Sequence, residues 1–279
     1  MKVLETANPL VSIIISIYQP DLSLLESSLK SLVFQTYKPL EIIIINDGLK
    51  ESELLFIKDL LEPYKNITYI NNETNQGLTR SLNKGIEASN GDFIARQDAD
   101  DISEVTRIEK QVTQFRKNKK LGLLGTWYSV KFLENEVFYK PTGGKKELIS
   151  NMFERNPFCH SSVMVRRSSI EIVGLYSEKY KTTQDLDLWF RIGEHFDIQI
   201  LEDNLVERNL GSHAISYGKK RWIQLLNSFF IRLSARKKFT YLEKTLSKAI
   251  KSFLLGLIFN LSPRTTNRLQ SIYRKKFKN

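Results

Sequence analysis

Gly91-Asp92-Phe93-Ile94-Ala95-Arg96-Gln97-Asp98-Ala99-Asp100-Asp101-Ile102 is a strand-like segment that ends in a group of acids. A short apolar run, Phe93 to Ala95, leads into three carboxylates within four positions. In extended backbone Asp98 and Asp100 point to the same side, roughly 6 to 7 Å apart. Like charges that close repel unless something positive sits between them. A hard divalent cation, Mg2+ or Mn2+, meets that need with oxygen ligands, some of them drawn from phosphate. An acidic turn capping the following helix fits the spacing equally well, since Asp101 and Ser103 are both N-cap types. The spacing alone leaves both open.

The residues before this stretch repeat one pattern. Val11 to Ile17 and Ile42 to Ile45 read as buried strands, Ile67 to Asn71 as a third and Asp92 to Gln97 as a fourth. Between them, Leu22 to Thr36, Glu51 to Tyr64 and Leu78 to Ser89 carry apolar residues at helical spacing. Strands alternating with helices over about 100 residues predict a parallel, doubly wound α/β sheet. Such sheets bind ligands beyond the carboxyl ends of their strands. Polar residues stand at those ends: Tyr18-Gln19, Asn46-Asp47-Gly48, Asn75-Gln76-Gly77 and Asp98 to Asp101. That shared placement turns the carboxylate cluster into a candidate site. Neither G-x-G-x-x-G nor G-x-x-x-x-G-K-S/T occurs, so the usual dinucleotide and P-loop phosphate cradles are excluded.

Downstream the pattern changes to α+β. Val105 to Lys117 reads as a helix, Leu121 to Leu133 as strands, Leu148 to Phe153 as a short helix and Ser162 to Val165 as a strand. Gln184 opens another helix with Asp185 in its first turn. The single cysteine, Cys159, permits no internal disulfide and points to a reducing compartment. Met1 to Pro9 is polar and has no signal-peptide character, and no run reaches the 18 or so apolar residues of a spanning helix.

The net charge of +11 is concentrated at one end. Trp222 to Asn279 holds 13 basic residues against one acidic, Glu243, and the rest of the chain balances to within one charge. This is unlike a uniformly basic nucleic-acid-binding protein. Apolar residues from Trp222 to Leu233 and from Leu242 to Leu261 fall at helical spacing, and Pro263 is expected to end that helix. A basic amphipathic segment rich in aromatics predicts docking on an anionic membrane surface. The alternative is a helix packed on the rest of the chain with a solvated basic face.

Five segments, taken together and in order, resemble the family 2 glycosyltransferases. They are Val11 to Gln19, Glu41 to Gly48, Asn75 to Gly85, Asp98-Ala99-Asp100-Asp101, and Gln184-Asp185-Leu186-Asp187-Leu188-Trp189-Phe190-Arg191. The resemblance implies a GT-A fold: a Rossmann-like, mostly parallel sheet with an α+β acceptor-side half and a C-terminal helical extension. It divides the chain into a glycosyltransferase domain at 1–216, with a nucleotide-binding half at about 10–101 and an acceptor-side half at about 102–216. A basic helical tail follows at 217–279.

The activity implied is inverting, non-processive transfer of a hexose from a nucleoside diphosphate sugar, a UDP-sugar first, to a saccharide acceptor. Asp185 corresponds to the catalytic base, with Gln184 where the family commonly has Glu. Losing that neighbouring negative charge would lower the proton affinity of Asp185. Asp100, Asp98 and Asp101 correspond to the metal motif, with Mn2+ or Mg2+ as cofactor and Asp98 shared with the ribose. Asp47 is expected at the nucleobase, Tyr18 and Gln19 along the nucleotide, Arg80 and Arg96 at the diphosphate. His160 is expected in the acceptor pocket and His213 near the donor phosphates. With the basic tail, the implied setting is the cytoplasmic face of a bacterial membrane, on a lipid-diphosphate-linked acceptor in O-antigen or capsule assembly. Lys220-Arg221-Trp222 lacks the glutamine of the Q-x-x-R-W motif of processive synthases. A nucleotidyltransferase would carry a glycine- and lysine-rich loop where Ser16 to Asp21 stands. A non-catalytic sugar-nucleotide-binding protein is the remaining alternative.

Overall fold

The computed structural model describes residues 8–132, 135–209 and 221–261. Consecutive isoleucines build its first half. In β1 (Val11–Ile17) and β2 (Leu40–Asn46) neighbouring side chains point to opposite faces of the sheet. Ile13, Ile15, Ile42 and Ile44 enter one core, and Ile14, Ile43 and Ile45 enter the other. Burial on both faces explains why these strands read as unbroken apolar runs.

Helices α1 (Leu22–Val33), α2 (Glu51–Leu61) and α3 (Leu78–Ala88) join β1, β2, β3 (Ile67–Asn71) and β4 (Phe93–Asp98). Asp21 starts α1 by accepting the amides of Ser23 at 3.0 Å and Leu24 at 3.2 Å. The four strands are parallel in the order β3-β2-β1-β4, as the alternation predicts.

The second half extends the same sheet. Its elements are β5 (Ile102–Ser103), α4 (Arg107–Lys117), β6 (Leu121–Phe132), β7 (Asn135–Tyr139), α5 (Lys145–Met152), β8 (Met164–Arg166), α6 (Arg167–Val173), α7 (Gln184–His195) and β9 (Asp197–Asn209). The order continues β4-β8-β6-β9-β5, with β7 paired to β6. β8 runs antiparallel to both its neighbours, β6 runs parallel to β9, and β5 runs antiparallel to β9.

Several expectations change here. Asp101 and Ser103 do not cap the next helix, because Ile102 and Ser103 pair with β9 and α4 begins at Arg107 behind Thr106. The strand expected at Ser162 is a 3-10 turn at His160–Ser162, followed by β8. β9 and α6 have no counterpart in the sequence reading. β9 was obscured by its charged residues, although Ile198 and Ile200 alternate within it.

The basic tail folds back. α8 (Arg221–Arg236) and α9 (Thr245–Leu261) form an antiparallel hairpin. Its arms meet at Phe229 and Phe253, with ring centroids 4.5 Å apart, and at Leu225 against Gly256. Ile231, Ala235, Phe239 and Leu242 are buried in the same core as α5 and α7. Arg232 donates to the carbonyl of Met152 at 2.8 Å, and Lys238 pairs with Glu194 at 2.9 Å. One stripe of the amphipathic pattern is therefore spent on the domain. Pro263 and the basic cluster Arg274 to Lys278 lie outside the described residues.

Gly85 marks where α3 presses on the sheet. A Cβ there would stand 2.6 Å from both Ile14 Cγ2 and Ile45 Cδ1. Gly85→Ala is expected to lower unfolding free energy by about 1–3 kcal/mol through overpacking, read from the urea midpoint.

Candidate active site

The carboxyl ends of the parallel strands form the floor of the site. At the end of β1, Tyr18 is exposed and Gln19 takes a left-handed backbone, φ 45°. At the end of β2, Asp47 is buried and its carboxylate is heavily occupied. It accepts the amides of Gln76 at 2.7 Å and Gly77 at 3.0 Å, and the side-chain amides of Asn72 and Asn75 at 3.1 and 3.3 Å. Asp47 thereby holds the loop into α3 at its carboxyl-end position. Arg80, one turn into α3, pairs at the surface with Glu178 at 2.9 Å rather than with the carboxylate cluster.

The cluster lies at the end of β4. Extended backbone stops at Asp98, and a turn follows at Ala99-Asp100. The expected alternation of Asp98 and Asp100 is therefore replaced by a tighter arrangement. One carboxylate oxygen from each of Asp98, Asp100 and Asp101 lies within 4.8 Å of the other two.

Each carboxylate has a different environment. Asp98 pairs with the buried guanidinium of Arg96. It also accepts Ser161 Oγ at 2.9 Å, and its amide donates back to that hydroxyl at 3.1 Å. Burial would raise its pKa, but Arg96 overrides burial and holds Asp98 below the usual carboxylate range. Burial and the charge of Asp98 push Asp100 up, and push Asp101 up to about 7. Asp101 accepts the amide of Asn209 at 3.1 Å and faces Arg208 at 3.6 Å. Asn209 also donates to the carbonyl of Asp100 at 2.7 Å.

Three hard oxygen donors converge here, and Asp101 Oδ2 is buried and, among the described residues, has only the guanidinium of Arg208 at 3.6 Å, beyond hydrogen-bond reach. That donor set fits a divalent cation of the Mg2+ or Mn2+ kind.

Ser161, Arg208 and Asn209 were missed from the sequence. Ser161 sits on the 3-10 turn and the other two end β9. Arg208 and Asn209 reach the cluster because β9 lies beside β5, and Ser161 because the turn before β8 packs at the end of β4.

Asp185 stands in the first turn of α7, after Thr183 in left-handed backbone. Asn156 Nδ2 donates to its Oδ2 at 2.9 Å. Burial raises its pKa, with Arg96 acting against that and Asp98 with it. Gln184 is itself buried, with its Oε1 unpartnered among the described residues. Asp185 opens into a cleft of about 440 Å³ between the domain and the α8–α9 hairpin.

His160 contacts Tyr176 Oη at 2.9 Å and packs edge-on against Tyr176 and Trp189. Cys159 is buried and its thiol is pushed up to about 11 by burial. His213 lies outside the described residues.

Burial, then the positive field of Arg96, holds His160 well below the ordinary histidine value. The unfolded chain therefore binds this proton first, near pH 6.5, and the stability due to neutral His160 is lost as pH falls below that. The stability difference between wild type and His160→Gln, read by urea unfolding, is expected to shrink by up to about 1.4 kcal/mol per pH unit below pH 6.

Residues 12–173 match the family described as "Glycosyl transferase family 2". The "Putative glycosyltransferase EpsE" of Bacillus subtilis is 34% identical over 193 residues, covering 67% of this chain and 68% of that protein. The "UDP-Gal:alpha-D-GlcNAc-diphosphoundecaprenol beta-1,3-galactosyltransferase" of Escherichia coli is 32% identical over 187 residues, covering 66% of this chain and 67% of its own. Among solved structures, S. aureus TarS 1-349 in complex with UDP-GlcNAc aligns with a TM-score of 0.65 at 15% identity, covering 90% of this chain and 73% of that one. That likeness gives the fold as GT-A. With its α/β sheet, its carboxylate cluster at the end of β4 and these relatives, the chain belongs to glycosyl transferase family 2 and is a glycosyltransferase.

Proposed function

We propose that the chain transfers a hexose, with inversion and without processivity, from a UDP-sugar to a saccharide acceptor linked to lipid through diphosphate. The pathway proposed is bacterial O-antigen or capsule assembly. The observation that carries this reading is the three-carboxylate cluster at the end of β4, one oxygen of each acid within 4.8 Å of the others, with Asp98 and Asp185 both in the field of Arg96. The relative from Escherichia coli carries a UDP-galactose donor and a lipid-diphosphate acceptor in its name, and TarS is described with UDP-GlcNAc.

In this mechanism Asp185 accepts the proton of the acceptor hydroxyl as its oxygen attacks the anomeric carbon. The bond from that carbon to the diphosphate breaks on the opposite face. A general base of this kind contributes roughly 10²- to 10⁴-fold. Its raised pKa suits a group that must take a proton, and Asn156 fixes its orientation. Asp100 and Asp101, with Asp98, would hold the Mn2+ or Mg2+ that supplies charge to the departing diphosphate. Arg96 keeps Asp98 ionised for that purpose. Tyr18, Gln19 and Asp47 line the nucleotide, Asp47 through the loop it holds. His160, neutral and braced by Tyr176, sides with the acceptor.

Screening UDP-, GDP- and dTDP-sugars for donor hydrolysis with Mn2+ or Mg2+ tests the reading. A UDP-sugar is expected to turn over and EDTA to abolish it. Asp185→Asn is expected to cut transfer by about 10²- to 10⁴-fold while UDP binding persists. Turnover of no donor would overturn the enzymatic reading, and indifference to EDTA would overturn the metal.

The setting proposed is the cytoplasmic face of the membrane, with the hairpin as the contact. Trp222, Ile223, Leu226 and Phe230 on α8 are exposed, as are Leu246, Ile250, Leu254 and Ile258 on α9. These residues recur every three or four positions, so they form one stripe on each helix. Their exposure leaves both stripes off the packed core. A patch this apolar, flanked by basic residues, suits a bilayer interface. No helix among the described residues is long and apolar enough to cross a membrane. Cutting the chain before Trp222 would also remove core residues, so surface substitutions are the sharper test. Leu226→Ser, Phe230→Ser, Ile250→Ser and Leu254→Ser combined are expected to weaken sedimentation with anionic vesicles at least about tenfold. Unchanged binding would overturn the membrane role.

A further inference from the structure

Ser161 lies on the 3-10 turn His160–Ser162, 63 residues after Asp98, and is fully buried. Its Oγ donates to Asp98 Oδ2 at 2.9 Å. The same oxygen accepts Arg96 Nη1 at 2.9 Å and the amide of Asp98 at 3.1 Å. A hydroxyl has one proton to donate and two lone pairs with which to accept. All three are in use, so the hydroxyl has a single orientation open to it. Two of its bonds go to Asp98, and the third goes to the guanidinium that pairs with Asp98.

Both oxygens of that carboxylate are therefore held from the protein side. Arg96 takes Oδ1 and Ser161 takes Oδ2. Two bonds from different directions fix the plane of the carboxylate before any cation arrives. A ligand already in place loses no rotational freedom when the ion binds. Without the hydroxyl, Asp98 would keep the pull of Arg96 alone and could turn about it, and Arg96 Nη1 would lose its acceptor. Ser161 is neutral and donates no charge to the site, so its effect on the cluster is one of geometry.

We propose that Ser161 is a positioning residue for cation binding, holding the carboxylate of Asp98 in the orientation in which it joins Asp100 and Asp101 around one divalent ion. This rests on the cation reading above and adds to it a residue from the acceptor-side half of the chain. The donor-side cluster is then complete only when the turn before β8 is packed against the end of β4.

Ser162 supplies the comparison. It sits on the same turn and is as fully buried, but its Oγ donates to the carbonyl of Cys159 at 3.0 Å and accepts the amide of Thr126 at 3.3 Å. The test is titration of Mn2+ into the full chain, with and without UDP, the free ion being read from its EPR signal and UDP alone serving as the blank. Ser161→Ala is expected to bind Mn2+ about 10- to 100-fold more weakly than wild type, the usual cost of removing a hydrogen-bond partner of a metal ligand. Ser162→Ala is expected to lower the melting temperature and leave the Mn2+ affinity unchanged. Ser161→Cys keeps the side-chain volume with a weaker donor, so a smaller loss is expected, and it carries the test if Ser161→Ala does not fold. Wild-type affinity in the folded Ser161 variant, or the same weakening in Ser162→Ala, would overturn the inference. A wild-type chain that takes up no Mn2+ in either condition would instead overturn the cation reading, so the two failures are distinct.

Discussion

The fully buried guanidinium of Arg107 ties together the two halves of this enzyme. Arg107 is fully buried at the start of α4 and donates to the carbonyls of Arg96 at 2.8 Å and Val163 at 3.3 Å. It also donates to Gln97 Oε1 at 3.0 Å and Ser103 Oγ at 2.8 Å. Those partners lie on β4, on β5 and just before β8. Besides the pairing of β4 with β8, the parallel sheet is thus held to the mixed extension by a cation whose hydrogen bonds go to neutral acceptors. A buried charge is tolerable only when hydrogen bonds replace its water. Gln111 extends the network to the carbonyls of Leu124 and Ser162. The turn that carries Ser161, and with it one side of Asp98, depends on this packing.

The carboxylate cluster then follows from local charge. Three acids this close cannot all ionise without compensation. The protein supplies part of it: Arg96 for Asp98, and Arg208 with the amide of Asn209 for Asp101. Asp100 and Asp101 are left with raised proton affinity, so the cluster is under-compensated as built. That deficit favours a cation more strongly than carboxylate spacing does. Asp185 shares the same field through Arg96, while its burial and Asn156 prepare it to accept a proton.

The C-terminal helices show one sequence pattern serving two surfaces. The apolar residues of α8 and α9 are too many for one face. Ile231, Ala235, Phe239 and Leu242 close the core, Phe229 and Phe253 hold the helices together, and a further set stays exposed. Membrane docking and packing on the domain are the two readings the sequence offers; the structure packs one set of these residues on the domain and leaves another exposed. The helix that reaches outward also lines the cleft at Asp185.

The four parallel strands are legible in the residues alone, because burial on both faces demands the unbroken isoleucine runs of β1 and β2. The sequence also determined that Asp47, Asp98 to Asp101 and Asp185 would stand at element ends, since turn and capping residues mark those ends locally. The boundary at Asp101 was not legible, because whether Ile102 and Ser103 form a strand depends on β9, about 100 residues later. For the same reason Arg208, Asn209 and Ser161 carried no local signal. Their roles come from pairing between distant strands, which periodicity within a segment does not encode. Folding in three dimensions was needed to bring both Asp98 and Asp185 into the field of Arg96 and to make the basic tail a wall of the cleft at Asp185. Both are products of long-range packing, where the partner that gives a charge its meaning is supplied by another part of the chain.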